Sequence, residues 1–407
     1  MGFLSFIGLQ RASAHVTFND LYPVDKATSN QVVDETTAIT LSAVSACVKV
    51  LSETPASLPL NVYEVKNGKT SITHNNPISF LVEKSPNEIM TRITFIQTLM
   101  ASVVYEGKFF ALIHRNVNST PTWLQIIPND DVKILKNKAQ SKIFYEINNE
   151  QYNQKRVDSM DMIHIIGLSF DGVNGLSPIS YARETFGIGL AEQEFQGKFL
   201  SNGATLAGVL TQPGKVNEEQ MKRLKKSWNA EYGGSGNTGK TAVLENGMEF
   251  KPIGIKPIDA QFLESRKFST EEIARIFNVP LHMIGELTRS TNNNIEQQAL
   301  EFVVFTIRPW LKKIEAEFNK KLLTTEEWKT GSSFIRFNVN SLLRGDVKTR
   351  MELYKTMNLI GAMNADEIRE LEDLNGYEGG DTYFVQANMI PVDRAIKGET
   401  NIEDNGE

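Results

Sequence analysis

Residues 175–203 read GLSPISYARETFGIGLAEQEFQGKFLSNG, and this stretch decides the fold of the 407-residue chain. Pro178 suits the first turn of a helix, and the pair Asn202–Gly203 is typical of a helix end. The segment between these signals predicts one long helix, Ile179–Asn202. Its expected length is about 36 Å at 1.5 Å per residue.

A second long helix is predicted over residues 258–278, where Pro280 stops it. Residues 203–257 lie between the two helices and contain their own elements. One is a helix that begins at Asn217–Gln220, a pattern similar to a capping box. Two long helices that flank an insertion predict a hairpin-shaped subunit with a protruding tip.

The rest of the chain mixes helices and strands. Residues 36–54 predict a helix, and residues 108–166 predict a series of short strands separated by Asn, Asp and Pro turns. The longest helical pattern covers residues 295–323, and Pro309 inside it predicts a kink. The fold class predicted is α+β with an insertion, rather than a doubly wound nucleotide-binding sheet.

The composition is globular, with 41% hydrophobic residues, 23% charged residues and a formal net charge of −6. A protein that grips DNA phosphates is usually basic, because its affinity comes from Lys and Arg that displace counterions. An acidic chain is therefore a poor DNA clamp, although weak phosphate contacts suit a conduit through which DNA slides. Composition alone does not choose between a conduit and a protein without nucleic acid.

Cys47 is the only cysteine, so the chain has no intrachain disulfide and suits a reducing compartment. The five histidines lack the spacing of metal ligands, and no metal site is predicted. His164 lies in the apolar run Met162–Ile166 and is predicted to be a hydrogen-bonded core residue. Apolar runs such as Phe109–Ile113 are far too short to span a bilayer, so no membrane contact is expected.

Residues 234–241 read GSGNTGKT, which satisfies the phosphate-binding P-loop pattern. A working P-loop follows a buried strand and precedes a helix whose N-terminal amides bind phosphate. Here a predicted helix, Glu218–Tyr232, comes first and a predicted strand, Thr241–Glu245, follows. The reversed order argues against nucleotide binding. No other catalytic constellation is found, so neither enzymatic activity nor a cofactor is predicted.

The predicted helix of the insertion carries four basic residues on one side, namely Lys222, Arg223, Lys225 and Lys226. A solvated helix face is the commoner explanation of such a cluster. A docking surface for a partner or for DNA is the alternative. The sequence leaves both explanations open.

The order of several motifs resembles the small portal protein family of long-tailed bacteriophages. One group surrounds the first long helix: Gly175–Ile179, Phe199–Gly203 and Ala207–Leu210. A second group is Phe268–Pro280 with Leu281–Gly285. Further matches are Ser85–Asn87, Met90–Thr91, Leu342–Arg344, Asp346 and Arg350. The resemblance covers roughly residues 36–390.

This resemblance implies a phage portal fold with wing, stem, clip and crown regions that assembles as a dodecameric ring. The regions carried onto this chain are an N-terminal arm at 1–35, the first part of the wing at 36–178, a stem helix at 179–202, the clip at 203–257, a second stem helix at 258–284, a tunnel loop at 285–294, the rest of the wing at 295–342, the crown at 343–394 and a tail at 395–407. The tail is polar and is expected to be disordered.

The implied function is a channel at one capsid vertex, through which double-stranded viral DNA passes in and out. The implied partners are other copies of the chain, the DNA, the large subunit of the terminase motor, the major capsid protein and a head-completion or adaptor protein. The implied location is the virion, and the host cytoplasm during assembly. The four basic residues would dock the terminase from the clip. The DNA-facing tunnel loop would comprise Glu286, Leu287, Thr288, Arg289, Ser290, Thr291, Asn292 and Asn293.

Two alternatives remain open from the sequence. One is a P-loop ATPase of the packaging motor, against which the order of helix, loop and strand around Lys240 argues. The other is a head structural protein without a channel, such as a minor capsid or adaptor component. A ring with a central hole would separate the portal from both.

Overall fold

The computed structural model describes residues 9–11, 27–137, 142–201, 208–211, 213–214, 217–232, 244, 247–252, 258–286, 292–339, 347–372 and 374–384. The chain separates into two compact units, residues 1–338 and residues 339–407. Helices and antiparallel sheets alternate along the first unit, which confirms the predicted α+β class.

The α-helices described in the first unit follow in chain order. They are α1 (Glu35–Ala38), α2 (Ser42–Ser57), α3 (Ser79–Glu83), α4 (Arg92–Glu106), α5 (Pro178–Tyr181), α6 (Arg183–Ser201), α7 (Glu218–Tyr232), α8 (Ile258–Phe277), α9 (Asn292–Glu301), α10 (Arg308–Leu322) and α11 (Thr325–Thr330). The second unit contains α12 (Val347–Leu359) and α13 (Ala365–Leu371).

The strands form four antiparallel sheets. Their bounds are β1 (Leu9–Arg11), β2 (Leu60–Lys66), β3 (Lys69–Ile72), β4 (Lys108–Arg115), β5 (Pro121–Ile127), β6 (Val132–Asn137), β7 (Lys142–Ile147), β8 (Lys155–Asp158), β9 (Met162–Ile166), β10 (Gly208–Thr211), β11 (Glu249–Pro252) and β12 (Ser333–Phe337). The sheet orders are β1-β6-β7-β8, β5-β4-β9, β12-β2-β3 and β10-β11.

Helices α2 and α4 pack against each other and supply much of the core of the first unit. Phe95, Leu99 and Val103 of α4 recur at helical spacing and are all buried, as their periodicity predicts. Cys47 of α2 is fully buried, and burial raises the pKa of its thiol to about 12. The thiol therefore serves as a small core side chain.

Strand β12 joins the late part of the unit to its beginning. Phe337 pairs with Leu60 and Ser333 with Glu64, so β12 is an edge strand of the sheet β12-β2-β3. Helix α10 packs against β12 and against β9. The predicted division of the wing between an early and a late segment is thus compatible with the pairing.

His164 is half-buried between β4 and β7, and its ring is hydrogen-bonded, as predicted. Its Nδ1 lies 3.0 Å from the Tyr145 hydroxyl, and its ring stacks on Phe110 with 4.5 Å between centroids. Burial lowers the pKa of His164 to about 3, so the ring is neutral at physiological pH. Its backbone N–H donates to the Glu317 carboxylate of α10 at 2.8 Å, and Glu317 pairs with the buried Lys321.

Gly107, Gly167 and Gly175 meet at the C-terminal end of α4. Gly167 and Gly175 belong to the segment that connects β9 to α5. Gly107 has φ +80°, caps α4, and accepts a hydrogen bond from Gly167 N–H at 2.8 Å. A Cβ placed on Gly175 would lie 1.8 Å from the Gly107 carbonyl oxygen. A Cβ on Gly167 would lie 3.4 Å from the same oxygen. The connection therefore approaches the backbone of α4 more closely than any side chain at residue 175 would permit.

The predicted kink at Pro309 is replaced by a change of helix type. Residues Phe302–Ile307 form a π-helix between α9 and α10, and Pro309 lies in the first turn of α10. Proline is tolerated in a first turn, and the wider π-helical turn takes up the irregularity one turn earlier. The helical pattern also begins at Asn292, three residues before the predicted start.

Other boundaries differ from the sequence predictions. The helix predicted over residues 36–54 divides into α1 and α2, and the predicted helix Ile179–Asn202 divides into α5 and α6 at Ala182, whose φ and ψ are −111° and 26°. Strand β11 pairs with β10 among the described residues. The predicted strand Thr241–Glu245 lies outside the described residues except for Leu244.

The predicted N-terminal arm is partly incorporated into the fold. Leu9–Arg11 pairs with β6 of the same chain. Residues 27–34 pack on α6, where the backbone N–H of Thr28 donates to the Glu184 carboxylate at 3.0 Å.

The second unit is small and mainly helical in its described part. Arg350 of α12 pairs with Glu372 at 3.0 Å, and the Tyr354 hydroxyl donates to the same carboxylate at 2.8 Å. Asn364 caps α13 through the Glu367 backbone N–H. The predicted disordered tail at 395–407 lies outside the described residues.

Candidate functional site

Helices α6 and α8, which correspond to the predicted stem helices, pack side by side in opposite directions. The Ser269 hydroxyl of α8 donates to the Glu192 carboxylate of α6 at 2.7 Å, and Ser265 donates to the same carboxylate. One turn further along α6, Gln196 accepts from Arg266 at 2.5 Å. Polar contacts of this kind keep the exposed end of the pair in register.

The other end of the pair is apolar. Phe186 and Phe277 are both buried and meet edge to face, with 6.2 Å between centroids. Gly189 faces Leu41 and Ile273, and a Cβ there would lie 3.2 Å from the Leu41 side chain. The absence of a side chain at residue 189 thus lets the helix pair approach the start of α2.

A glycine also explains the contact on the outer side of α6. A Cβ at Gly187 would lie 2.2 Å from the Ala27 Cβ and 2.8 Å from the Ser29 hydroxyl. Gly187 therefore admits the segment 27–34. Gly197, the third glycine of this helix, has no atom within 4 Å of a Cβ placed on it.

The insertion between the two helices contains α7 and the β10–β11 pair. Leu210 pairs with Phe250 in this two-stranded sheet. Trp228 of α7 stacks on Phe250, with 5.5 Å between ring centroids and 23° between planes. This aromatic contact attaches α7 to the sheet through one side of the helix.

The four basic residues of the sequence prediction lie on the opposite side of α7 and are exposed, namely Lys222, Arg223, Lys225 and Lys226. At 100° per residue they span less than half of the helix circumference, away from Leu224 and Trp228. Lys222 also pairs with Glu218 at 2.8 Å, a contact between two exposed side chains that adds little stability. The structure therefore brings the four residues together as one exposed basic face.

The turn after α8 is anchored to the π-helix. Asn278 adopts a left-handed conformation with φ +53°, which ends α8 before Pro280. Its side-chain amide donates to the Thr306 hydroxyl at 2.8 Å, and that hydroxyl donates to the Asn278 carbonyl at 2.8 Å. His282 adds a contact with Gln298 at 2.9 Å. These bonds fix the base from which the next segment departs.

A groove of about 710 Å³ lies beside this turn. Its walls are the outer side of α8, with Lys267 and Glu271, and the end of α9 with the π-helix. Phe305 of the π-helix is 69% exposed at its edge. Sequence patterns did not indicate the groove, because it depends on the π-helical turn, for which the sequence carries no local signal.

The predicted tunnel loop is only partly described. Gly285 has φ +94° and ends a 3₁₀ turn, and Glu286 follows it, half-buried in the lining of the groove. Asn292 and Asn293 belong to the first turn of α9, so the predicted loop is shorter than residues 285–294. Leu287, Thr288, Arg289, Ser290 and Thr291 lie outside the described residues.

The P-loop-like residues 234–241 also lie outside the described residues. The element before them is helix α7, which agrees with the predicted order and is opposite to that of a working P-loop. Among the described residues no group of three or more His, Cys, Asp or Glu side chains is placed to hold a metal ion. In the same part of the chain, no helix is both long enough and apolar enough to cross a membrane.

Comparison with known proteins identifies the family. A family model described as "Phage portal protein" matches residues 42–373, which include both long helices and the insertion. The chain belongs to the phage portal protein family.

The relatives include portal proteins of two well-separated phages. The chain is 33% identical over 379 residues to the "Probable portal protein" of Streptomyces phage phiC31, a match that covers 90% of this chain and 82% of the relative. It is 30% identical over 368 residues to the "Portal protein" of Enterobacteria phage HK97, covering 88% and 85%.

Solved structures agree in fold. A crystal structure of an HK97-family phage portal protein from Corynebacterium diphtheriae has a TM-score of 0.58 at 19% identity and covers 78% of this chain and 99% of that chain. A chain from the neck of a native gene transfer agent particle, computed with C12 symmetry, has a TM-score of 0.55 at 20% identity and covers 84% and 94%.

These comparisons confirm the resemblance and the α+β portal fold inferred from the sequence. The portal family is named for a structural role rather than for a reaction. Within the described residues, α6 and α8 correspond to the two predicted long helices, and α7 with β10 and β11 lies in the predicted insertion.

Proposed function

We propose that this chain assembles as a dodecameric ring at one capsid vertex and forms the channel for double-stranded viral DNA. The observation that carries the proposal is the antiparallel pair α6–α8 with a compact module inserted at its exposed end, in a chain of the portal family. Such a pair gives each subunit a stem and a tip. Copies arranged side by side around an axis would then form a tube with a ring of tips at one end.

The tip offers a surface for the packaging motor. The exposed basic face of α7 points away from the β10–β11 sheet to which Trp228 attaches the helix. We assign it to docking of the terminase large subunit during packaging and of a head-completion or adaptor protein afterwards. The major capsid protein is the proposed partner of the wing, and the virion is the proposed final location.

The net charge of −6 supports a conduit rather than a clamp. A ring of acidic subunits repels phosphates on average and leaves only weak, exchangeable contacts. We assign such contacts to the tunnel loop, with Arg289 as its one basic residue. The turn from Asn278 to Glu286, held by Thr306 and Gln298, would support the loop on the wall of the channel.

Negative-stain imaging of the purified full-length protein tests the ring. We expect rings with twelvefold symmetry and a central hole wide enough for a DNA duplex. In a separate assay, we expect the purified protein to show no ATP hydrolysis that depends on Lys240, as the variant Lys240→Ala would reveal. Monomers or closed particles without a hole would favour a minor head protein. ATP hydrolysis that depends on Lys240 would favour the alternative of a motor ATPase.

The tunnel loop can be tested separately. Because α9 begins at Asn292, removal of Ser290 and Thr291 shortens the loop without cutting into the helix. We expect rings to form normally and the amount of DNA packaged or retained to fall, since fewer side chains would reach the duplex. Packaging assays with DNA protected from nuclease measure the effect. Loss of ring assembly would show that the loop has a structural role, and unchanged packaging would show that it does not meet DNA.

A further inference from the structure

One lateral side of the α6–α8 pair carries an apolar stripe of four side chains, Ile188, Phe195, Phe199 and Phe268. Ile188 is 49% exposed, Phe195 is 50% exposed and Phe268 is 60% exposed. Phe195 and Phe199 stack on each other, with 6.3 Å between ring centroids. Phe199 is half-buried, whereas Phe195 and Phe268 are exposed, and exposed aromatic groups on one side of a helix pair mark an interaction surface.

The four side chains share a side because of helical geometry. Glu192 and Gln196 of α6 face α8, and at about 100° per residue Ile188, Phe195 and Phe199 lie roughly 40° to 80° to one side of the midpoint between them. The residues of α8 that face α6 include Ser265 and Ser269. Phe268 lies roughly 60° from Ser265 and 100° from Ser269, and because the helices are antiparallel this direction is the same side of the pair.

The opposite side of the pair carries Gly197, at nearly the height of Phe195 and Phe199 along the helix axis. A glycine inside a helix costs up to about 1 kcal/mol relative to alanine. Gly187 and Gly189 are explained by contacts within the subunit, but no atom lies within 4 Å of a Cβ placed on Gly197. Nothing described in the subunit therefore requires a glycine at residue 197. A close approach from another chain would require it.

The same side also contains a small cleft at the height of Phe268. The cleft is lined by Ser42 at the start of α2, Gln193 of α6 and Thr270 of α8, among other residues. The contacts of Glu192 with Ser269 place Gln193 level with Phe268 along the helix axis. One side of the pair thus has aromatic projections, and the other side has a glycine and a cleft at matching heights.

We infer that the stripe is half of the interface between neighbouring subunits, and that it packs on the Gly197 side of a second copy of this chain. The inference rests on the proposed ring. A ring needs two different, complementary surfaces on each subunit, because every contact is head to tail. Rotation about the ring axis does not change the height of a residue along that axis, so residues of neighbouring subunits meet at equal heights. Phe195 and Phe199 therefore meet Gly197 of the next copy, and Phe268 meets the cleft at Gln193 and Thr270.

Variants that block one surface at a time test this pairing. Phe195→Ser with Phe268→Ser removes the projections, and Gly197→Leu fills the opposite surface. Each variant should lose rings in size-exclusion chromatography with light scattering. Gly197→Leu should also keep or raise the thermal midpoint of the subunit, because leucine favours a helix interior more than glycine does. Phe80→Ser is the matched control, since Phe80 is 65% exposed but lies on α3, and its rings should persist.

Mixing the two variants gives the sharpest result. The stripe of the Gly197→Leu chain and the glycine side of the Phe195→Ser/Phe268→Ser chain are both intact. The mixture should therefore form a heterodimer of twice the 45.6 kDa subunit mass and no ring. Rings from either variant alone, or no heterodimer from two folded variants, would overturn the inference. Absence of rings from the unaltered protein would instead count against the proposed function.

Discussion

Reversal of all four charges on the basic face of α7, by Lys222→Glu, Arg223→Glu, Lys225→Glu and Lys226→Glu, is expected to abolish DNA packaging while rings still form. The four side chains are exposed and turn away from the Trp228 contact, so their replacement leaves the fold of the clip intact. Like charges placed across an interface cost several kcal/mol. A loss of about 3 kcal/mol already weakens an association more than a hundredfold.

The matched control reverses four exposed basic residues on the sheet β1-β6-β7-β8, namely Lys133, Lys142, Lys155 and Arg156. It changes the total charge by the same amount but lies outside the insertion. Nuclease-protected DNA in assembled heads measures packaging, and imaging measures ring formation. Normal packaging by the α7 variant would leave the basic face as a solvated helix surface. Equal losses of packaged DNA in both variants would indicate that packaging depends on the total charge of the protein rather than on a docking site.

The sequence was most informative where structure depends on neighbours along the chain. The stripe Phe95, Leu99 and Val103 predicts the buried side of α4 because helix periodicity is local. The order of the signals likewise predicted two long helices around an insertion, and the quoted motifs indicated the family. The basic face of α7 could be predicted in full, since positions 222, 223, 225 and 226 fall within an arc of roughly 160° at about 100° per residue, with Leu224 on the other side.

The remaining features depend on contacts between distant segments. The helix break at Ala182 has no glycine or proline at that position that would predict it. Leu60 pairs with Phe337, although most of the sequence of the first unit separates them. The π-helix ahead of Pro309 contains Thr306, whose hydroxyl bonds to Asn278 of a distant segment. A polar sequence predicted a longer loop than the structure has, because Asn is poor in helix interiors but acceptable in the first turn of α9.

The substitution Gly175→Ala is expected to be among the most destabilising single-methyl changes in the chain. A Cβ at residue 175 would lie 1.8 Å from the Gly107 carbonyl oxygen and 3.3 Å from the Gly167 nitrogen. The clashing atoms belong to the backbone and cannot rotate away as a side chain would. Relief requires either that the connection to α5 separates from α4 or that the Gly167–Gly107 hydrogen bond breaks. We expect a loss of about 3 kcal/mol or more in the free energy of unfolding.

Gly167→Ala is the matched control, because it adds the same methyl group to the same three-glycine contact. Its Cβ would lie 3.4 Å from the Gly107 oxygen, an ordinary van der Waals distance, so we expect a change within about 0.5 kcal/mol. Chemical denaturation followed by circular dichroism compares the two variants with the unaltered protein. Equal stability of the two variants would mean that the connection to α5 is not held at this distance. A large loss confined to Gly175→Ala would establish that the backbone contact fixes where the stem begins.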